Sequence, residues 1–456
     1  MFVRNKFEHD ARVTREANTL IAEGFRVVVF AVSTTPEGAG PDRQGDIEVY
    51  RVTLPTAVSR FVTWLGKLVG FYARLASRAR KLTRKVRRRI EARVGAPAPA
   101  SAPVPRGAPV FTKTGATPGL AAANRAKVAF RDFVWPSHRF LQGLRFGRLA
   151  GERAAALRPV AYHCHDLNAI VAGFRAKKIW PAPVIYDSHE LWPHRNRPDA
   201  RRRKALVVSV GDLIFARRAD AVVTVNESIA DHIRRRYGVG EVLVVRNTPS
   251  VSARIPSPQA GLLEGIAHPR LIYVGGIQTH RGLEEMIDAT ALIPEATFVA
   301  VGPGNDEYRI GLEQRAAAKG VADRVRFIPR VPPEAIVDTI AGADLGFALI
   351  KNYCLSYYLS LPNKFFEYLH AGLPVVASNF PEMEQLVNRY DVGATCDPAD
   401  PNAIARTVRE LLAKPEELKR MRDNALEAAK ELNWEHERKT LIGLYRRLVP
   451  EDRWPR

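Results

Sequence analysis

Apolar residues along the chain follow two patterns, short β-branched runs and longer stretches with helical spacing. Residues 11–23 carry apolar side chains at helical spacing, with Asp10 placed to cap the start of a helix and Gly24 to end it. Residues 26–32 form a β-branched run that is typical of a buried parallel strand. We therefore expect a helix followed by a strand. Only residues 1–5 remain for an earlier strand, either as a stub or as the end of a strand that begins upstream.

The alternation continues in two blocks. Four further apolar runs have helical stretches between them, at residues 159–163, 183–186, 221–225 and 242–245. A second block starts at residues 270–274 and alternates to about residue 415. Strands that alternate with helices of about 10–15 residues predict parallel sheets with helices on both faces. Because a break rich in Ser, Pro and Gly at residues 249–267 separates the blocks, we predict an α/β fold with one doubly wound, Rossmann-like domain in residues 1–248 and another in residues 249–430.

Residues 57–150 are predicted to be an insertion in the first domain. Residues 57–94 are rich in Lys and Arg, contain one acidic residue, Glu91, and place apolar residues near helical spacing. This pattern favours a basic amphipathic helix that binds an anionic membrane surface, and the alternative is a solvated helix without a partner. Residues 95–118 are rich in Pro and Ala, which predicts a flexible linker.

The charge balance points to an anionic partner. The chain has 69 Lys+Arg against 48 Asp+Glu, a formal net charge of +21. Such an excess favours nucleic acid, an acidic membrane or phosphorylated ligands, with a generally Arg-rich surface as the alternative. Because the basic segment contains no recognisable nucleic-acid-binding module, we predict that nucleic acid is not a partner.

Cysteine usage and hydropathy indicate the cellular compartment in which the protein is expected. The three cysteines, Cys164, Cys354 and Cys396, fit no zinc or redox spacing, and their odd number favours a reducing compartment. We expect no signal peptide, because residues 1–10 have no apolar core region, and no stretch reaches the roughly 18–20 apolar residues that a membrane span needs. We expect a cytoplasmic protein that can bind the inner face of the cell membrane as a peripheral protein.

Candidate ligand-binding residues follow predicted strands at their carboxyl ends, where open parallel sheets bind ligands. Gly275 and Gly276 follow one strand and would let a ligand approach the backbone closely. Arg281 precedes the next helix, where a cation adds to the attraction of the helix N-terminus for phosphate. Gly302 follows the next strand. Tight turns and a surface arginine explain each of these residues equally well when it is taken alone.

Residues 361–378 carry the strongest local signal. The pattern predicts a helix that starts at Pro362, ends at Gly372 and leads into a buried strand. Lys364 and Glu367 share one face of this helix. A helix N-terminus can receive a diphosphate, Lys364 would add positive charge, and Glu367 could accept the hydroxyls of a ribose. The alternative is an ion pair on the protein surface.

Two turns rich in His and acidic residues follow neighbouring predicted strands. The first contains His163, His165 and Asp166, and the second contains Asp187, His189 and Glu190. Together they predict a polar cleft floor with a hydrogen-bonding or acid–base role. A metal site is the alternative, but the residues lack a compact ligand spacing such as His-x-x-x-His, so we predict no metal.

These segments, in this order, resemble the family 4 retaining glycosyltransferases of the GT-B fold, over residues 8–56 and 155–448. The motifs that carry the resemblance are Asp10-Ala-Arg-Val-Thr-Arg-Glu-Ala, Asp187-Ser-His-Glu-Leu-Trp, Asn363-Lys-Phe-Phe-Glu-Tyr, Ala371-Gly-Leu-Pro-Val-Val and Asn433-Trp-Glu. The resemblance implies two Rossmann-like domains that face each other across a cleft, and a C-terminal helix in residues 431–456 that crosses back to the first domain.

The resemblance also implies roles for single residues. Arg281 would contact the donor diphosphate, Lys364 would lie near the phosphates and Glu367 would hold the ribose. The backbone around Arg330 and Val331 would meet the base. The remaining residues implied at the site are His165 near the reacting carbon of the transferred sugar, with Asp166 beside it, then Asn363, Gly275, Gly276 and Gly302 on the donor side, and His189 and Glu190 on the acceptor side.

The implied reaction moves a sugar from a nucleoside-diphosphate sugar to a glycan or lipid-linked acceptor, with retention at the anomeric carbon and without a metal or other cofactor. Two positions depart from the family pattern: Leu359 stands where a second Glu is common, and Gly275 stands where an Arg is common. Two alternatives stay open. A nucleotide-sugar 2-epimerase shares the two-domain architecture, and the missing Glu and the stub first strand favour a degenerate membrane-bound scaffold that binds a nucleotide sugar without transferring it.

Overall fold

The structure is a computed structural model that describes residues 1–8, 10–33, 35, 38–54, 135–195, 202–251 and 262–455. The predicted basic helix at residues 57–94 and the linker at residues 95–118 lie outside these ranges, as do residues 252–261 of the predicted break between domains. Within the described ranges, none of the helices is long and apolar enough to cross a membrane.

The N-terminal half contains two small sheets that residues 1–5 connect. The sheets have the orders β1-β3-β2 and β4-β5-β6-β7. Their strands are β1 (Val28–Ser33), β2 (Gly40–Gln44), β3 (Ile47–Thr53), β4 (Tyr162–His165), β5 (Val184–Ser188), β6 (Ala221–Thr224) and β7 (Leu243–Val244). Phe2 makes parallel bridges to Phe30 and to Cys164, so residues 1–5 take the place of a central strand between β1 and β4.

The hairpin of β2 and β3 is antiparallel, which the prediction of parallel sheets missed. The strands β1 and β3 pair in parallel, as do β4, β5, β6 and β7. The edge strand β2, Gly-Pro-Asp-Arg-Gln, is largely exposed and has no apolar alternation, so the sequence contains no signal for it.

Five helices of the described residues pack on these sheets: α1 (Ala11–Ala22), α2 (Trp135–Ala156), α3 (Ile170–Lys177), α4 (Arg202–Arg218) and α5 (Glu227–Tyr237). The side chain of Asp10 caps α1 by accepting from Val13 N, as expected. Helix α2 runs through residue 150, where the predicted insertion was to end, and its Phe146, Ala150 and Ala154 are buried in the core of this half. Helix α2 therefore packs as part of the domain on both sides of the predicted end of the insertion, at about residue 150.

The C-terminal half is built on a six-stranded parallel sheet of order β10-β9-β8-β11-β12-β13. Its strands are β8 (Arg270–Val274), β9 (Thr297–Val301), β10 (Val325–Ile328), β11 (Leu345–Ala348), β12 (Val375–Ser378) and β13 (Gly393–Cys396). Strand β8 matches the predicted run residue for residue, because it is a continuous apolar strand buried between two helical layers.

The helices of the C-terminal half cover both faces of this sheet and then return to the N-terminal half. They are α6 (Leu283–Ala291), α7 (Asp306–Ala318), α8 (Ile336–Ile340), α9 (Leu355–Tyr358), α10 (Asn363–His370), α11 (Pro381–Tyr390), α12 (Pro401–Leu412), α13 (Pro415–Glu431) and α14 (Trp434–Leu448). Helix α14 packs against α1, where Trp434 Nε1 donates to Thr19 Oγ1 at 2.9 Å. It also pairs Glu437 with Arg246 at 3.1 Å.

Candidate active site

A cavity of about 810 Å³ is lined by residues from both halves of the molecule. The N-terminal half contributes the start of α1 and the turn after β5, and the C-terminal half contributes the turn after β8 and the start of α10. Eight of the predicted site residues line this cavity: His189, Glu190, Gly275, Gly276, Arg281, Asn363, Lys364 and Glu367. The cavity thus brings together segments that are far apart in the sequence, at the carboxyl ends of parallel strands.

Helix α10 begins in the cavity wall, because one of its faces packs in the core and the other faces the cavity. Phe365, Phe366 and Leu369 are at most 1% exposed in the core, whereas Lys364 and Glu367 line the cavity. The hydroxyl of the following Tyr368 donates to Phe347 O and accepts from Val274 N, at 3.0 and 3.1 Å. These contacts fix the helix to the sheet with its N-terminus at the cavity.

Lys364 is a buried amine, and among the described residues no carboxylate forms an ion pair with it. Its Nζ lies 3.3 Å from the centre of the Tyr273 ring. Burial and the nearby Arg281 lower the pKa of Lys364 well below its usual range, although Glu367 opposes the change. Among the described ion pairs none joins Lys364 to Glu367, and both residues line the cavity, so the surface ion pair considered from the sequence does not form.

The turn after β8 depends on two glycines. Gly275 has a φ of +127°, and a Cβ there would lie 3.2 Å from Lys364 Nζ. Gly302, after β9, has a φ of +146°, and a Cβ there would lie 2.1 Å from the Gly275 carbonyl oxygen. Gly302 is therefore needed for the close approach of two backbone turns, and it does not itself line the cavity.

The side chain of Val331 lies away from the cavity lining, and the implied contact of the backbone around it with the base stays a prediction. Its side chain is 9% exposed and belongs to an apolar cluster of the C-terminal half. The nearby Ile336, at the start of α8, lines the cavity instead. The chain just after the predicted segment therefore reaches the cavity.

The two turns that were predicted to form a polar cleft floor lie side by side, but only the second turn contributes residues to the cavity lining. The parallel register places His165 beside Asp187. His165 is only 3% exposed, and neither it nor Asp166 lines the cavity. The second turn lines the cavity through His189 and Glu190. The lining therefore gives no cavity contact for His165, because the buried end of β4 holds its imidazole beneath His189, with one nitrogen of each ring 3.2 Å apart.

His189 presents a positive charge to the cavity. Its Nε2 lies 3.1 Å from Asp187 Oδ2, and its backbone N donates to Asp166 Oδ1 at 3.1 Å. Burial disfavours the protonated ring, but the carboxylates of Asp166 and Asp187 outweigh it and raise the pKa of His189 to about 9. The side chain is therefore an imidazolium at neutral pH.

Arg12 is a site residue that the sequence analysis missed. It lines the cavity and is 3% exposed, and its Nε and Nη2 both donate to the Asp187 carboxylate at 2.8 Å. Its Nη1 donates to Val245 O at 2.6 Å. One feature of the sequence could have identified Arg12. It forms a charged pair with Glu16, four residues later, beside the apolar stripe of a predicted buried helix.

Leu359, which stands where the family often has a Glu, faces away from the cavity. It packs with Leu355 against the core of the N-terminal half, and its carbonyl oxygen accepts from Asn226 Nδ2 at 2.8 Å. Ser356, Tyr357 and Ser360 line the cavity in this region. Position 359 thus serves contact between the two halves.

Four buried side chains could hold a metal ion: Glu16, His163, His165 and Asp187, here called the buried tetrad. Their potential ligand atoms all lie within 4.8 Å of one another. Residue spacing along the chain could not predict this cluster, because the four residues come from α1, β4 and β5 and only the fold brings them together.

Comparison with solved structures identifies the architecture. Sucrose-phosphate synthase from Thermosynechococcus elongatus is 18% identical with a TM-score of 0.64, covering 96% of this chain and 92% of that one. Anabaena Alr3699/HepE, solved in complex with UDP, is 14% identical with a TM-score of 0.61, covering 98% of this chain and 99% of that one. The fold is the two-domain GT-B fold of glycosyltransferases.

Sequence comparison identifies the family. Residues 101–248 match the family model described as Glycosyltransferase Family 4, and residues 266–428 match Glycosyl transferases group 1. D-inositol 3-phosphate glycosyltransferase of Thermomonospora curvata is 27% identical over 308 residues, which cover 62% of this chain and 70% of that protein. The chain belongs to glycosyltransferase family 4 and is a glycosyltransferase.

Proposed function

We propose that this glycosyltransferase takes a sugar from a nucleoside-diphosphate sugar and transfers it to a glycan or lipid-linked acceptor, with retention at the anomeric carbon. The observation that carries the proposal is one cavity wall that holds the start of α10, Lys364, Arg281 and Glu367 together. HepE, which shares the fold, was solved with UDP, and this supports a diphosphate donor here.

The diphosphate would bind against the positive part of this wall. No side chain of the described residues caps the start of α10 or of α6, so their first backbone N–H groups are available to an anion. Arg281 and Lys364 would add the charge that stabilises the departing diphosphate, without a metal. Glu367, one turn into α10, would accept the ribose hydroxyls.

The transferred sugar would lie between this wall and His189. Because His189 is already protonated at neutral pH, it is suited to stabilising negative charge and not to removing a proton from the acceptor. In a front-face reaction the acceptor hydroxyl can pass its proton to the departing phosphate oxygen, so no protein base is required. His189 thus takes the place that the sequence analysis gave to His165.

The acceptor is proposed from charge alone. The basic residues 57–94 favour a lipid-linked acceptor at an anionic membrane surface, with the protein peripheral on the cytoplasmic side. The family assignment supports a transferase and gives no support to the epimerase alternative.

The proposal is tested by proton NMR of the reaction of the full chain with an α-linked nucleoside-diphosphate sugar. We expect an α-linked product and release of the nucleoside diphosphate only when an acceptor is present. A lipid-linked acceptor in anionic vesicles should react faster than the same glycan free in solution. A β-linked product, or conversion of the donor sugar without any acceptor, would contradict the proposal.

A further inference from the structure

The outward face of α2 carries leucines where a surface helix normally carries polar residues. Leu141, Leu144 and Leu149 are 59%, 45% and 37% exposed. Arg145 and Arg148 lie between them at helical spacing and are exposed as well. Among the described residues, no other helix places three large apolar side chains in solvent. These five residues are here called the leucine–arginine face.

Close packing on α3 directs this face outwards. The opposite side of α2 is buried, with Phe146 in the core of the N-terminal half. A Cβ at Gly147 would lie 2.7 Å from Val171 Cγ1, near the start of α3. A Cβ at Gly151 would lie 3.0 Å from Arg175 Cβ, one turn further along α3. The two glycines therefore let the helices approach closely, and the order of these contacts shows that α2 and α3 run in the same direction.

The most exposed end of the leucine–arginine face lies at the edge of the sheet where the cavity is lined. Helix α3 starts after the carboxyl end of β4, and α2 runs alongside it in the same direction. Leu141 and Leu144, early in α2, therefore lie toward that edge. Gly143, between them, is next to the N-terminal strand, since a Cβ there would lie 3.1 Å from Arg4 Nη1. The following residue of that strand, Asn5, lines the cavity.

The charge of the leucine–arginine face is positive. Residues 141–158 contain four arginines and one acidic residue, Glu152. The carboxylate of Glu152 is shared between two cations, because it lies 3.3 Å from Arg148 Nε and 3.0 Å from Arg175 Nη2. The face thus combines exposed leucines with an excess of positive charge, which is the pattern of a helix that lies in the interface of an anionic membrane.

Charge also distinguishes the surfaces that this face could contact. A second copy of the chain would bring the same arginines together across a two-fold axis, where they repel each other. Residues 57–94 of this chain are themselves rich in Lys and Arg, with Glu91 as their one acidic residue. Phospholipids supply what both of these lack, negative phosphates for the arginines and acyl chains for the leucines.

We infer that the leucine–arginine face of α2 docks on an anionic phospholipid membrane. Its arginines bind headgroup phosphates, and its leucines enter the boundary between the headgroups and the acyl chains. Because Leu141 and Leu144 lie toward the cavity edge of the sheet, docking brings the N-terminal side of the cavity close to the membrane surface. The delivery of a lipid-linked acceptor to the cavity rests on the proposed function, whereas the docking itself does not.

Sedimentation of the full chain with vesicles tests the docking. The vesicles contain phosphatidylcholine alone or phosphatidylcholine with phosphatidylglycerol, and we expect binding to the anionic vesicles only. The double variant Leu141→Gln/Leu144→Gln should bind on the order of tenfold more weakly, because less apolar surface leaves water on binding. Leu292→Gln/Ile310→Gln, which removes two exposed apolar side chains of the C-terminal half, should bind like the wild type. A wild type that leaves the anionic vesicles unbound, or an α2 variant that binds them as well as the wild type, overturns the inference.

A fluorophore on the face gives a second measurement that leaves the other leucines in place. The three native cysteines are buried, so an environment-sensitive thiol reagent should label Leu144→Cys selectively. Its emission should shift to shorter wavelength when anionic vesicles are added, and the same label on Ile310→Cys should not respond. A label at position 144 that does not respond to vesicles contradicts docking, and one that responds to higher protein concentration alone shows that a second copy covers the face.

Kinetics then separate docking from the proposed function. With a lipid-linked acceptor in anionic vesicles, Leu141→Gln/Leu144→Gln should transfer sugar more slowly than the wild type, and with the same glycan free in solution the two rates should agree. An equal loss with both acceptors would contradict a role in docking. If the wild type transfers no sugar to either acceptor, the proposed function fails, while the vesicle measurements, which need no donor, still decide whether the face docks.

Discussion

Lys364 shows how a single side chain can be prepared for an anionic ligand. Its ammonium contacts the Tyr273 ring and lies among groups that leave it little water, with a lowered pKa as the result. A diphosphate would supply the missing negative charge. Because that charge favours the protonated amine, binding should return the pKa of Lys364 toward its usual range.

Donor binding should therefore take up a proton at Lys364. The free protein has the lower pKa and the complex the higher one, so uptake occurs between these values and affinity falls as the pH rises through that window. Calorimetry of nucleoside-diphosphate binding in buffers of different ionisation enthalpy measures the uptake directly. Lys364→Gln should remove it, whereas Lys319→Gln, an exposed control on the same half, should not. Equal uptake in wild type and Lys364→Gln would contradict this account.

At the scale of elements, the sequence was most informative where one apolar pattern determines the structure. Strand β8 has the predicted bounds, because its apolar residues are continuous. The edge strand β2 has no such pattern and was missed. The burial of His165 could not be predicted from the sequence, since it depends on α1 and α14, which pack against β4 from distant parts of the chain.

The turns after β8 and β9 act as one structural unit, which Gly302→Ala tests. The added Cβ would meet the Gly275 carbonyl oxygen at 2.1 Å, and the positive φ adds strain, so we expect a loss of roughly 1–3 kcal/mol in the free energy of unfolding. Binding of a nucleoside diphosphate should weaken as well, because the displaced turn carries Gly275 and Gly276.

Gly311→Ala is the matched control for Gly302→Ala, and urea denaturation measures the free energy of unfolding of both variants. Gly311 lies inside α7, and a Cβ there meets nothing within 4 Å, so alanine should stabilise the helix by about 0.5–1 kcal/mol. If Gly302→Ala is as stable as the wild type, the two turns are not coupled in the way described.

The molecule as a whole depends on contacts that hold its two halves around the cavity. Helix α14 packs on α1, and the carboxylate of Glu382 on α11 accepts from Ser228 N at the start of α5, at 2.5 Å. Arg15 on α1 is close enough to Glu367 on α10 that each alters the pKa of the other across the cavity. A ligand that contacts Glu367 is therefore expected to stabilise both halves together.

The central claim is that the wall formed by α10 and Arg281 binds the diphosphate of a nucleotide-sugar donor. A thermal-shift panel of UDP, GDP, dTDP and ADP tests it on the wild type, on Glu367→Ala and on the exposed control Glu410→Ala. A ligand at about a hundred times its dissociation constant should stabilise the fold by roughly 2.7 kcal/mol, a shift of a few degrees. We predict that at least one of the four shifts the wild type and Glu410→Ala but not Glu367→Ala. If none of them shifts the wild type, or if Glu367→Ala responds like the control, the donor site is not where this account places it.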